Sequence, residues 1–140
     1  MVNLKTSQVI RLHAKLLDLD GGTPGLRDSN SLESALCTPL LSFEGEEFFP
    51  TLIEKLCRIS YGIIKNHAFI DGNKRIGIQV LLVLLVLNNL TSLPNSIALE
   101  HAALLVAKNE LNYEDFLLLV QQLQQLEEAK NITPSSIFVK

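Results

Sequence analysis

The segment Asn73–Leu87 is apolar almost all the way round a helical wheel, and this constrains the fold more than any other part of the chain. Such a helix cannot face water on one side and a core on the other, so it is expected to be surrounded by other helices. A membrane span is the competing explanation for so apolar a run. Here the run over 76–87 is broken by Gly77 and Gln79 and stops at Asn88 and Asn89. It falls short of the roughly 18 to 20 apolar residues a span needs.

The flanking sequence supplies the partners that a buried helix requires. Val9, Leu12, Leu16 and Leu17 share one helical stripe over residues 7–19, with Ser7 as the expected N-cap. Asp20, Gly21, Gly22, Thr23, Pro24 and Gly25 then form a loop, because neither a helix nor a central strand tolerates that density of glycine and proline. Asn30 followed by Glu33 reads as a capping box for a second helix that must stop before Pro39. Residues 40–50 lose helical period and mix phenylalanines with glutamates, which predicts a short flap or hairpin. A third helix is expected from Pro50 to about residue 65, with Ile53, Leu56, Cys57, Ser60 and Ile64 on one face. Two more follow, over about 96–108 and 112–130, the latter opened by Asn112 and Asp115. The prediction is an all-α compact bundle of about six helices forming a single domain over 1–130, with a C-terminal tail over 131–140.

Composition narrows the function classes. The net charge of −3 gives no broad cationic footprint, so direct binding to nucleic acid is not expected. Cys37 and Cys57 match neither a CxxC nor a zinc pattern and are expected to be reduced core residues. The first fifteen residues lack the apolar region of a secretory signal. A cytoplasmic protein without a membrane anchor is therefore expected.

The chemistry concentrates in His67, Ala68, Phe69, Ile70, Asp71, Gly72, Asn73, Lys74 and Arg75, which lie between the third and fourth helices. The backbone N–H groups of Gly72, Asn73 and Lys74 stand where a helix begins, without intrahelical acceptors and at the positive end of the dipole. Lys74 and Arg75 add full positive charges, although cations oppose the dipole at that end; a nearby anion would account for them. Asp71 suits a hard cation such as Mg²⁺ shared with phosphate oxygens, its ordinary alternative being a helix cap. His67 is the right type of group to take a hydroxyl proton near neutral pH. Phe69 is expected to anchor the loop in the core. His13 and His101 have no comparable company and are assigned to the helix surface or the core. A structural zinc is rejected, because His67 and Asp71 lack the partners that such a site needs.

This segment resembles the signature of the Fic/Doc superfamily, whose Doc form reads H-x-F-x-D-x-N-K-R and whose Fic form reads H-x-F-x-D/E-G-N-G-R-x-x-R. A second stretch, Gly21, Gly22, Thr23, Pro24, Gly25, Leu26, Arg27 and Asp28 followed by Leu32 to Leu36, is similar to a segment near the start of Doc-like proteins, and the resemblance extends over about residues 5–125. It implies a helical Fic-type fold acting on ATP. His67 would be the base for a target hydroxyl, Asp71 the Mg²⁺ ligand, and Gly72, Asn73, Lys74 and Arg75 the phosphate binders. Gly72 occupies a position that is often alanine in Doc. Lys74 stands where Fic enzymes carry a second glycine, and Ile78 where they carry a second arginine.

Fic proteins typically transfer AMP to a hydroxyl, whereas Doc phosphorylates elongation factor Tu and is neutralised by a partner antitoxin. The Lys74 and Ile78 departures favour the second activity: a toxin-type kinase that moves the γ-phosphate of ATP to a Ser or Thr hydroxyl and inhibits translation. AMP transfer and a non-catalytic partner-binding module remain as alternatives. The flap over 40–50 matches in position the Fic segment that aligns a target peptide by strand-like pairing. An inhibitory helix of the S/T-x-x-x-E-G/N type found in some Fic proteins is matched by Ser96 and Glu100, but His101 fails the next position. Restraint is therefore expected from a separate antitoxin chain.

Overall fold

A computed structural model describes residues 1–130; the expected tail over 131–140 lies outside them. The described residues form six helices, α1 (Thr6–Asp20), α2 (Ser29–Cys37), α3 (Leu52–Asn66), α4 (Asn73–Leu87), α5 (Ser96–Ala107) and α6 (Tyr113–Lys130), with one small hairpin, β1 (Ser42–Phe43) and β2 (Glu46–Glu47). The all-α class and the hairpin are both as expected. The antiparallel strands pair Ser42 with Glu47 and Phe43 with Glu46. Their turn, Glu44 and Gly45, has positive φ at both positions, the geometry that matches strand twist in a two-residue connection.

The central element is α3 rather than α4. Helices α2, α4, α5 and α6 all pack on α3, whereas α4 packs on α1, α3 and α5 and keeps an apolar strip uncovered, with Val86 57% exposed. An all-apolar helix was expected to be enclosed, but three neighbours leave one side of it open. Leu56, Ile59, Ile63 and Ile64 of α3 and Ile76, Val80, Leu81 and Leu84 of α4 are all fully buried where the two helices form the middle of the core. Gly77 makes their close approach possible: a Cβ there would lie 2.5 Å from Ile64 Cγ1. The Ser60 hydroxyl donates to the Gly77 carbonyl across the same contact at 2.8 Å. This packing fixes where α3 ends and α4 begins, and hence the loop between them.

Three helix starts differ from expectation, each because a better acceptor lies nearby. Helix α1 begins one residue before Ser7, with the Gln8 side chain accepting the Lys5 N–H at 2.8 Å. Asp28 rather than Asn30 caps α2: its Oδ1 accepts from the N–H groups of Asn30 and Ser31 at 3.1 and 3.2 Å. A carboxylate is a stronger acceptor than an amide, and it adds negative charge where the dipole favours it. Thr51 caps α3 through the Glu54 N–H at 3.2 Å, leaving Pro50 outside the helix. There the Pro50 and Phe49 carbonyls accept from the ammonium of buried Lys55, which also pairs with Glu47 at 3.1 Å and so ties the hairpin to α3.

The cysteines divide. Cys57 is buried, and burial pushes its thiol pKa up. Cys37 is exposed at the end of α2, contrary to the expectation of a core residue.

Candidate functional site

Two irregular segments form the site by pairing with each other. The glycine-rich segment after α1 runs antiparallel to the α3–α4 loop, with a bridge between Leu26 and Phe69. The Ala68 carbonyl accepts from the N–H groups of Arg27 and Asp28 at 2.7 and 3.0 Å, and Ile70 donates to the Gly25 carbonyl at 3.0 Å. Below this layer Phe69 is only 2% exposed, so it anchors the loop as expected. The Asn73 side chain closes the loop from within: its Oδ1 accepts the Phe69 N–H at 3.0 Å and its Nδ2 donates to the Phe69 carbonyl at 2.9 Å.

His67 sits where α3 ends, in the left-handed conformation at φ 50°, and is exposed. Arg27 donates to its carbonyl, which holds the backbone while the imidazole faces outward from the core. Five residues on, Gly72 opens α4 with φ 75°, a conformation that a side chain would strain. The first-turn N–H groups of Asn73, Lys74 and Arg75 have no intrahelical acceptor, and no side chain caps them. Lys74 is exposed beside them, whereas Arg75 donates from Nη1 to the Gly21 carbonyl at 2.8 Å.

Asp71 joins the two segments. Its Oδ2 accepts the Thr23 N–H at 3.0 Å and its Oδ1 the Gly72 N–H at 2.8 Å. Those two bonds, led by Thr23, hold its carboxyl below the ordinary aspartate range, with smaller help from the charges of Arg75 and His13 and some opposition from desolvation. Gly22 is needed for this closeness, since a Cβ there would lie 2.8 Å from Arg75 Nη2 and 2.9 Å from Asp71 Oδ2.

An ionised carboxylate beside uncapped helix N–H groups fits an anion and a hard cation together. Among the described residues no three or more His, Cys, Asp or Glu side chains cluster to hold a metal. One carboxylate, with phosphate oxygens and water completing the shell, suits Mg²⁺ better than zinc. The larger clefts, of about 560 Å³ beside Met1 and Asn88 and about 590 Å³ beside Leu90 and Leu118, are lined by none of these residues.

A family model described as "Fic/DOC family" matches residues 3–85, more than half of the 140. The chain belongs to the Fic/DOC family. Both paired segments of the site lie inside the Fic/DOC match, and α5 and α6 lie beyond it. Toxin Doc of Mycolicibacterium smegmatis (strain ATCC 700084 / mc(2)155) is 34% identical over 55 residues, which are 39% of this chain and 42% of that protein. That likeness therefore spans less than half of either chain.

Within the Fic/DOC fold the structure brings Asp71, Gly72, Asn73 and Arg75 together around the start of α4, with Lys74 outside and His67 at the other end of the loop. It also adds residues that the sequence reading did not place in the site. The Thr23 N–H donates to the Asp71 carboxylate, Gly22 leaves the space in which that carboxylate and Arg75 sit, and His13, buried in α1, bonds the Asp71 carbonyl through Nε2 at 2.7 Å. The signal for His13 was its spacing: with Val9 and Leu17 it makes an i, i+4, i+8 row, the buried row of α1. His101, by contrast, is exposed on α5. Ile78 is 5% exposed within the core, so the position where Fic forms carry a second arginine holds an apolar packing residue. No helix among the described residues is long and apolar enough to cross a membrane.

Proposed function

We propose that this Fic/DOC chain is a toxin-type protein kinase that moves the γ-phosphate of ATP to a Ser or Thr hydroxyl of a cytoplasmic protein and so inhibits translation. Elongation factor Tu is the first target to test, and a separate antitoxin chain is the expected restraint. The observation that carries this reading is the first turn of α4: three N–H groups with no side-chain cap, two cations in place of the usual acids, and an ionised Asp71 at its edge. Such a turn is suited to a polyphosphate.

In this reading the N–H groups of Asn73, Lys74 and Arg75 bind phosphate oxygens, since the Asn73 side chain is already committed to Phe69. Lys74 supplies a point charge, and Arg75, once turned from Gly21, a bidentate grip. Asp71 would hold Mg²⁺, which neutralises charge on the phosphates. His67 accepts the proton of the target hydroxyl as the hydroxyl oxygen forms the new bond to the γ-phosphorus and the bond to the ADP oxygen breaks. Positioning and charge stabilisation carry most of the rate gain. Phosphoryl rather than AMP transfer is favoured by Lys74, which fills the place of a glycine, and by Ile78, which offers no clamp for the outer phosphates.

The test incubates the wild type and His67→Ala with candidate translation factors and ATP, then weighs the products. A phosphoryl increment that falls by about 10²- to 10⁴-fold in His67→Ala is expected. A nucleotidyl increment would establish AMP transfer instead, and an unchanged mass on every target would favour a partner-binding module.

A further inference from the structure

Among the described residues, His13 is the one histidine whose ring makes a hydrogen bond within the chain, and the bond is made to the backbone of Asp71. The residue is 4% exposed. Its ring lies flat on Phe69, with centroids 3.8 Å apart and planes 14° from parallel, so the imidazole orientation is set by packing. The partner of its Nε2 is a carbonyl oxygen, which can only accept. Nε2 must therefore carry the hydrogen.

The bonded carbonyl belongs to the Asp71–Gly72 peptide, a rigid planar group. At the far side of that plane the Gly72 N–H donates to Asp71 Oδ1. A rotation of the peptide that broke the His13 bond would carry the Gly72 N–H away from the carboxylate as well. Beyond the plane, the Gly72 carbonyl accepts the Ile76 N–H at 3.0 Å, the first helical bond of α4. One hydrogen bond from α1 thus bears on the direction of the Asp71 carboxylate and on the aim of the first turn of α4. Thr23, on Oδ2, holds the carboxylate from the opposite side.

We infer that His13 is a positioning residue: its Nε2–H, donated to the Asp71 carbonyl, sets the plane of the Asp71–Gly72 peptide and thereby orients the carboxylate and N–H groups of the phosphate site. This rests on the kinase reading only for its consequence in turnover. The geometric claim stands on the contacts themselves.

The test compares His13→Phe, which keeps a ring on Phe69 and removes the donor, with His13→Gln, which keeps an N–H at a similar reach. Three measurements are made on the full chain. In the wild type, the ¹⁵N spectrum of His13 should show hydrogen on Nε2. In His13→Phe, the Gly72 and Thr23 amides should exchange with solvent about fivefold faster, while those of Val80 and Leu84 keep their rates, and His13→Gln should restore protection. The Mg²⁺ concentration for half-maximal transfer should rise about tenfold in His13→Phe and return in His13→Gln, as for groups that orient metal ligands. A wild-type ring without hydrogen on Nε2 overturns the inference, as does unchanged exchange at Gly72. Equal acceleration at Gly72, Val80 and Leu84 also overturns it, by making His13 a core residue only. If the wild type modifies no target, the kinase reading falls, and the exchange and ¹⁵N measurements still decide the role of His13.

Discussion

Helices α2 and α4 start from the two paired segments of the site, yet their first turns are built in opposite ways. At α2, Asp28 turns a carboxylate onto the N–H groups of Asn30 and Ser31 and takes the Ser31 hydroxyl at 2.7 Å. At α4, the corresponding position is Gly72, which has no side chain, and the next turn carries Lys74 and Arg75 rather than acids. Helices α3 and α5 follow the α2 pattern with Thr51 and Asn95, and α6 starts with Asn112 accepting from Asp115. A cation in the first turn works against the dipole, typically by about 0.3 to 1 kcal/mol. Four starts are completed by a side-chain cap; of the two without one, α1 and α4, only α4 carries two cations in its first turn beside Asp71.

The sharpest way to break this comparison is to give α4 the first turn that α6 already has. Lys74→Glu places an acid where α6 carries Glu114 and Asp115. Nucleotide affinity by calorimetry should fall by about 100-fold, the loss of a charge-assisted contact compounded by repulsion. Thermal stability should rise by about 0.3 to 1 kcal/mol, because the acid now favours the dipole. Opposite signs in the two measurements are the expected result. An affinity that does not change would show that the anion binds elsewhere.

A second variant tests the segment the two starts share. Gly22 has φ 128°, and an added Cβ would press on Arg75 Nη2, Asp71 Oδ2 and Leu17 Cδ2. Gly22→Ala should cost about 1 to 3 kcal/mol in backbone strain, read by urea unfolding. It should also weaken nucleotide binding, since Arg75 and Asp71 are both displaced. A loss of stability without a loss of affinity would separate the segment from the anion site.

How far these arrangements were legible beforehand depends on what carries them. The apolar wheel of α4 and the stripes of α1, α3 and α6 depend on local periodicity, and they gave the all-α bundle directly. The loop from His67 to Arg75 was legible because its polar residues are contiguous. The caps were harder, since Asp28, Asn30 and Ser31 are all plausible acceptors within one turn and only the bond geometry chooses among them. His13 was hidden by distance: it lies 58 residues from Asp71, and nothing local distinguishes a histidine on a buried row from one that grips a remote carbonyl. The open strip on α4 was also beyond a wheel diagram, which shows that a face is apolar and not how many helices arrive to cover it. Cys37 shows the same limit on a smaller scale, an apolar neighbourhood in sequence ending at the surface.

The smallest effect concerns α2 alone and shows what a completed start contributes. Hydrogen bonds from Ser31, its hydroxyl first and its N–H next, hold the Asp28 carboxyl below the ordinary aspartate range, with smaller contributions from Asn30 and Arg27. A carboxyl depressed in the folded state stabilises it fully above the unfolded value of about 3.9 and loses that effect as pH falls through the lower folded value. Asp28→Ala should therefore lower the melting temperature by a few degrees near neutrality, and the gap from the wild type should close only under strongly acidic conditions. Asp28→Asn keeps a capping acceptor without the proton equilibrium, so its gap from Asp28→Ala should not change with pH across that window. Both variants should leave nucleotide affinity unchanged, because the cap they alter faces α2 and the open N–H groups belong to α4. If Asp28→Ala weakened nucleotide binding as strongly as Gly22→Ala, the paired segments would act as one unit, and the contrast between a completed and an open helix start would not divide their roles.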